Sequence, residues 1–520
     1  MSSSTPTRRE AVLLTILLAI VFFLSQREES IIPPSLIPAR FNTTLKAEAT
    51  AAAESAARGP LPLQTRLTWG SSPPPETTVV SHAPGNCDSG WTIFDNLYIL
   101  NGTIFVVSDS PQNVPDIVHI ISKAYYIQNG EDNVRNREPT EKEIQVISTT
   151  QALKLFGHGA HIIDGVSFLA NDPPQFITHY YHWTAELWFG LWRTYASLDS
   201  RISLEGSTTL PPARRLIFSH LDSFHWRDYS SMNQWVLRAS FPSIQMEFKN
   251  DWQDRAAMGK PFVFERVVLA DRSAAMYAYN YQRYQRTAGS AMALPGSVDW
   301  WQPIRNNVVE FAGMDPEEGG GTTGRAVVTY ISRQKWGRRM LKPEDHDRLV
   351  KALEKLRDEE GFELNIVAAE EMSRVEQIRL ASRTTVRLSF HSSPYLFPSP
   401  VPLLRVASTL SSQHICSISA RVMMGVHGNG LTSLVWMKPN PRSTVMEFFF
   451  PEGFAHDYEY TTRALGMQHY GFWDKDYFSS PGLPLPKYVE GFQGNEIPVD
   501  ADTVIRLLKH RLSLNEEVDD

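Results

Sequence analysis

In the stretch THYYHWTAE, His179, His182 and Glu186 follow one another at spacings of three and four. On a helix those spacings bring all three to one face. An imidazole held by a carboxylate one turn away is a general base of fixed orientation. His182 and Glu186 are therefore the candidate catalytic pair. Two other readings use the same residues. A zinc site also wants histidines and a carboxylate on one face, although this order is not H-E-x-x-H. A hydrogen-bonded helix start would need these side chains and do no chemistry.

A second group lies in MMGVHGNGLTSLVWM, Met423 to Met437. An apolar run stops at His427, passes through Gly428, Asn429 and Gly430, and resumes at Leu431 and Thr432 with helical spacing. Glycines permit positive φ and close backbone approach. The N–H groups and positive end of the following helix would face the turn. That is a phosphate cradle, or else a plain corner. An esterase could use such a turn as an oxyanion hole, but no G-x-S-x-G elbow accompanies it. In ISRQKWGRR, Arg333 ends a strand and Arg338 and Arg339 follow. Guanidinium groups suit bidentate phosphate contact, and a solvated basic loop is the plainer reading. Glu447, inside STVMEFFF, could accept from ribose hydroxyls or sit in a buried salt bridge. Asp345-His346-Asp347 and Asp474-Lys475-Asp476 are short D-x-D matches with little specificity for a metal.

These residues need a scaffold, and the pattern supplies one. NLYILNGTIFVV reads as two strands around an Asn-Gly turn. FITHYYHWTAELWFGLWRTY reads as a long helix, RRLIFSHL as a strand, YSSMNQWVLRASF as a helix and PFVFERVVLA as a strand. After the linker MDPEEGGGTTG the alternation is cleaner: AVVTYIS, KPEDHDRLVKALEKLRDEE, FELNIVA, EMSRVEQIRLAS, VMMGV and STVMEFFF. This predicts an α/β chain whose second half is a doubly wound parallel sheet. Ligands in such sheets sit beyond the carboxyl ends of the strands, where Arg333 and His427 fall.

The chain of 520 residues, 42% hydrophobic, is long enough for two sizeable cores. Net charge is -7 and no basic stripe is present, which excludes nucleic acid as the expected partner. Aromatics reach 11%, with 13 Trp, a content that suits sugar-binding platforms and cores alike. Two cysteines, Cys87 and Cys416, cannot form a disulfide framework.

Arg8 and Arg9 precede the uncharged run Ala11 to Leu24. As a helix it spans roughly 21 Å, short of a ~30 Å hydrocarbon core. No small-x-small cleavage site follows, so the run reads as an uncleaved signal anchor with a cytoplasmic tail. The expected organisation is a tail over 1–10, an anchor over 11–26 and a disordered stem over 27–85. An acceptor-side α/β domain over 86–320, a nucleotide-binding domain over 321–500 and a C-terminal helix and tail over 501–520 follow. Asn42-Thr43-Thr44 and Asn101-Gly102-Thr103 are glycosylation sequons. The Ser/Pro-rich segment Val386 to Arg421 interrupts a smooth helix-to-strand passage. It reads as a surface loop or a retained intron, and the clean join across it favours the intron.

Taken together, YHWTAE, ISRQ, EQIRLAS, GVHGNGLTSLVWM and STVMEFFFP, in that order, resemble glycosyltransferase family 61. The resemblance covers roughly Trp91 to Asp476 and is most specific from Ala326 to Pro451. The family pattern reads HGAGL, and this chain has Asn429 for the alanine. The resemblance implies a GT-B-like pair of Rossmann-like domains and inverting transfer from a UDP-sugar, UDP-xylose or UDP-GlcNAc foremost. It also implies a glycan or glycoprotein acceptor and single-pass type II topology in the Golgi or endoplasmic reticulum membrane. No tightly bound cofactor is expected, and a divalent-metal requirement is left open. On this reading the donor is held by Arg333, Arg339, His427, Gly428, Asn429, Gly430, Leu431, Thr432 and Glu447. An inactive carbohydrate-binding scaffold and a metal-dependent hydrolase are the rival classes.

Overall fold

The first sheet starts earlier than the stem assignment allows. Strands β1 (Arg66–Thr68) and β2 (Thr78–Ser81) are paired into it. The reason is local: Leu67 and Trp69 alternate toward the sheet and pack beside Tyr98 and Phe156. The Trp69 indole also donates to the Gly157 carbonyl at 2.7 Å. The computed structural model describes residues 65–82, 89–316, 325–383 and 421–513. The expected tail, anchor and most of the stem lie outside them. So do both cysteines and all of the 386–421 insert except Arg421, which opens a strand. Among the described residues no helix is long and apolar enough to cross a membrane.

Strands β3 (Trp91–Leu100) and β4 (Thr103–Val107) form the hairpin that Asn101-Gly102 predicts. Both turn residues have positive φ, 54° and 85°, the mirror-image turn that matches strand twist. The sheet is completed by β5 (Ile144–Ile147), β6 (Gly159–Ala170), β7 (Ala213–Phe218), β8 (Gln245–Glu247) and β9 (Phe262–Ala270). Its order is β5-β4-β3-β9-β6-β7-β8, with β6 parallel to both β7 and β9.

The second sheet contains β10 (Val327–Ser332), β11 (Glu363–Ala368), β12 (Arg421–Val426), β13 (Ser443–Phe448), β14 (Gln468–Trp473) and β15 (Asp476–Phe478). Its order is β11-β10-β12-β13-β14-β15, parallel except for the last pair. The molecule is thus α/β with two mixed sheets. Strand alternation sends Val328, Tyr330, Met424 and Met446 toward helices Pro343–Glu360 and Ala501–Ser513. Ile331, Met423 and Val445 face the other way, into a core that also holds Phe168 and Val268 of the first sheet. The boundary at 320/321 therefore separates two sheets but not two cores.

Tryptophan fills that shared core. Trp183, Trp188, Trp301 and Trp436 are buried in it. The richness in Trp that suited a sugar platform is mainly a packing feature.

Candidate active site

The strands deliver their last residues to one place. Asp172 follows β6 by two residues, and Arg272 follows β9 by two. Arg333 and His427 come directly after β10 and β12. Carboxyl ends of parallel strands are where α/β sheets hold ligands. A cavity of about 380 Å³ opens there, lined among others by His182, Glu186, Arg272, Arg286, His427 and Asp457. A second, of about 450 Å³, is lined by Arg333, Trp336, Tyr229 and Gly430. Asn429 lines both.

His182 and Glu186 meet, but not on the α-helix their spacing predicts. His182–Trp188 is π-helical and continues as α-helix Phe189–Ala196. The stacked indoles of Trp183 and Trp188, 5.5 Å apart, sit one π-turn apart in sequence. Such single π-turns are common at functional sites. The His182 Nδ1 lies 2.6 Å from the Glu186 Oε2. Arg272 donates to the same oxygen at 2.7 Å, and Arg286 lies 3.7 Å from Oε1. Burial pushes the Glu186 carboxyl up, but Arg272, then His182 and Arg286, hold it well below the carboxylate range. Glu186 is therefore a fixed anion, and His182 is the member of the pair able to take a proton. His179 lies just before the π-turn, its ring 5.0 Å from that of His182. Phe176, 5.1 Å from the His182 ring, has φ 74°. Backbone strain in a bulky residue tends to gather at functional sites.

Around the glycine turn, one glycine matters most. Gly428 has φ 156°, and a Cβ there would stand 2.9 Å from the Arg333 Nη1 and 3.5 Å from the Arg339 Nη1. Two guanidinium groups thus converge on its backbone. Arg333 makes no ion pair among the described residues, and its Nε is buried without a partner. Arg339 is held by the Gln493 Oε1 at 2.6 Å and the His427 carbonyl at 3.4 Å. Burial pulls both guanidinium groups down, a cost that a bound anion would relieve. Gly430 has no positive φ; a Cβ there would press on the Ile331 Cγ2 at 3.0 Å. The segment after the turn, Asn429–Trp436, is a 3₁₀-helix rather than the α-helix its pattern suggests.

Three donor assignments are corrected. Leu431 is buried in the core, and Thr432 is buried with its hydroxyl on Asn429. They anchor the turn instead of facing the cleft. Glu447 does not wait for a ribose. It is fully buried, with Oε1 2.5 Å from the His427 Nδ1 and Oε2 2.8 Å from the His469 Nε2. Burial pushes Glu447 up and drives His427 down to about 3 and His469 to about 4. Burial thus disfavours a charge anywhere in the trio. Its protons can be placed: the His469 Nδ1 is buried with no partner, and a buried orphan N–H costs more than an orphan lone pair. His469 thus carries its hydrogen on Nε2 and donates to Glu447. With its carboxyl protonated, Glu447 donates to the His427 Nδ1, which leaves an N–H on the His427 Nε2, a ring nitrogen with no protein partner among the described residues.

Sequence reading missed Arg272, Arg286, Asp172 and Asp457. Arg286 pairs with Asp457 at 2.6 Å and so ties the two halves of the cleft. The strand-end rule that singled out Arg333 would have found Arg272 behind β9. Arg286 and Asp457 carry no local signal. The D-x-D matches serve structure: Asp345 pairs with Arg348 and accepts from the Val499 N–H, and Asp474 occupies a turn at φ 53°. Among the described residues no group of three His, Cys, Asp or Glu side chains is arranged to hold a metal.

The chain matches no protein-family model and no curated protein. The resemblance to glycosyltransferase family 61 thus rests on its motifs.

Proposed function

We propose that this chain is an inverting, UDP-sugar-dependent glycosyltransferase of GT-B-like architecture, with a glycan or glycoprotein as acceptor. The carrying observation is the pair Arg333 and Arg339 converging on Gly428, with the His182–Glu186 pair across the same cleft. On this reading the nucleoside occupies the cavity lined by Tyr229 and Trp336, two stacked rings that offer an aromatic wall. The diphosphate then lies at Gly428 between the two arginines, and the sugar points into the His182 cavity.

Inversion needs one displacement. His182 takes the proton of an acceptor hydroxyl, that oxygen bonds to the anomeric carbon, and the bond to UDP breaks. Glu186 stabilises the imidazolium that forms. Arg333, Arg339 and the His427 Nε2–H meet the charge growing on the leaving diphosphate. UDP-xylose and UDP-GlcNAc are the favoured donors. The apolar run Ala11–Leu24 supports anchorage in a Golgi or endoplasmic reticulum membrane. The test is to incubate the protein with a panel of UDP-sugars and score UDP release. Release with one donor, and none after His182→Ala, is expected. Donor-independent sugar binding with no UDP affinity would instead indicate the inactive scaffold.

A further inference from the structure

Asn429 stands at the junction of the two cavities. Its Oδ1 accepts from the backbone N–H of Tyr181 at 3.2 Å and from the Thr432 hydroxyl at 3.2 Å. A backbone N–H can only donate, so the atom facing Tyr181 is the carboxamide oxygen. The amide NH2 must then point the other way, and no acceptor for it occurs among the described residues. Tyr181 is buried and directly precedes His182, at the head of the π-turn. The N–H groups of a first helical turn have no partner within the helix. Asn429 supplies one of them from the opposite half of the molecule.

We propose that Asn429 is a positioning and donor-binding residue: its oxygen registers the π-turn of His182 against the glycine turn, and its free NH2 donates to the diphosphate end of the donor. The second half rests on the reading of the site given above; the first does not. The sequence makes Asn429 look replaceable by alanine, because a backbone cradle needs no side chain there. The hydrogen bond to Tyr181 contradicts that. Alanine leaves a buried N–H without a partner, a change worth about fivefold to a hundredfold in local opening. Aspartate keeps the acceptor oxygen but replaces the NH2 donor by negative charge facing a diphosphate.

Two variants therefore separate the two roles. Amide exchange of the peptide containing Tyr181 and calorimetric titration with UDP are measured on the wild type, Asn429→Ala and Asn429→Asp, each first shown to unfold cooperatively. Exchange at Tyr181 should be about tenfold faster in Asn429→Ala and near wild type in Asn429→Asp. UDP affinity should fall in the opposite order, a few-fold for alanine and tenfold or more for aspartate. A simple packing role predicts the same ranking in every assay. Unchanged Tyr181 exchange in Asn429→Ala would overturn the tether, and undiminished UDP affinity in Asn429→Asp would overturn the donation. If the wild type itself fails to bind UDP, the glycosyltransferase reading and the donation fall together, and the exchange data still decide the tether.

Discussion

Replacing Arg333 by alanine separates function from stability, because the folded protein gives this guanidinium so little. It has no ion pair among the described residues, its Nε is orphaned, and burial disfavours its charge. Among the described residues it lies over the Trp336 ring, 5.8 Å away, a contact worth about 0.5–1 kcal/mol. Stability should then change by no more than about 1 kcal/mol. A bound diphosphate changes the balance. A hydrogen bond to a charged group contributes about 1.5–3 kcal/mol, which is on the order of tenfold to a hundredfold in affinity. Arg333→Lys keeps charge but loses the fork, and should fall between. Calorimetric titration with UDP gives the affinities, and urea unfolding gives the stabilities. Unaltered UDP affinity in a folded Arg333→Ala protein would refute the assignment. So would a loss of several kcal/mol in stability, which would mean that Arg333 serves the fold.

Glu186→Gln should lower transfer by about 10²- to 10⁴-fold with UDP affinity nearly unchanged, since the one remaining oxygen cannot satisfy both His182 and Arg272; equal turnover in UDP-release assays would exclude Glu186 as the orienting group. Gly428→Ala should weaken UDP binding by tenfold or more, because its Cβ would displace Arg333; titration with UDP checks this, and a harmless alanine would remove Gly428 from the cradle. His469 is held at about 4 against an ordinary 6.5. The unfolded chain therefore binds a proton that the folded one refuses, and the contribution of His469 to stability is full above pH 6.5 and lost as pH falls toward 4. His469→Gln should flatten that fall by up to one proton, about 1.4 kcal/mol per pH unit, in denaturation series from pH 7 to 5. Asn101 tops an exposed hairpin, so expression in a eukaryotic host should yield a chain whose mobility shifts on removal of N-glycans. A chain without glycan at Asn101 counts against a lumenal location.

The sequence was most legible where one strand or helix suffices to place a residue. The Asn101-Gly102 hairpin follows from two residues that tolerate positive φ. The parallel second sheet follows from strands buried on both faces, such as VVTYIS and RVMMGV. Arg333 and His427 stand at strand ends and were found for that reason. Legibility failed wherever a side chain's role depends on a partner far along the chain. Glu447 in STVMEFFF looks the same whether it faces a ribose or two histidines; only the register of β13 beside β14, which places His469 next to it, decides. Arg286 and Asp457 are 171 residues apart, and no local pattern joins them. The π-turn was invisible because His182 and Glu186 pair at i,i+4 in either helix type. Gly430 drew attention from the motif, while the close approach of Arg333 and Arg339 makes Gly428 the demanding position.

These long-range ties also decide how the site is held. A two-domain cleft joined by a thin waist would need closure to bring base and donor together. Here the two sheets share one core, and the links across it are buried. The Trp301 indole donates to the Val435 carbonyl at 2.8 Å, and Arg305 donates to the carbonyls of Trp436 and Met437 at 3.0 and 3.1 Å. The Trp436 indole donates to the Tyr180 hydroxyl at 2.9 Å, and the Tyr181 hydroxyl to the Asp457 carbonyl at 2.7 Å. The Trp301 and Arg305 links fasten the segment after the glycine turn to the helix Gln302–Phe311 and the residue before it, and the last two fasten Trp436 and Asp457 to Tyr180 and Tyr181, directly before His182. Pulling the halves apart would break these bonds and expose to water the apolar core that the two sheets share. The His182–Glu186 pair and the glycine turn are therefore held in register by the fold itself, and the proposed transfer can draw on a preorganised site.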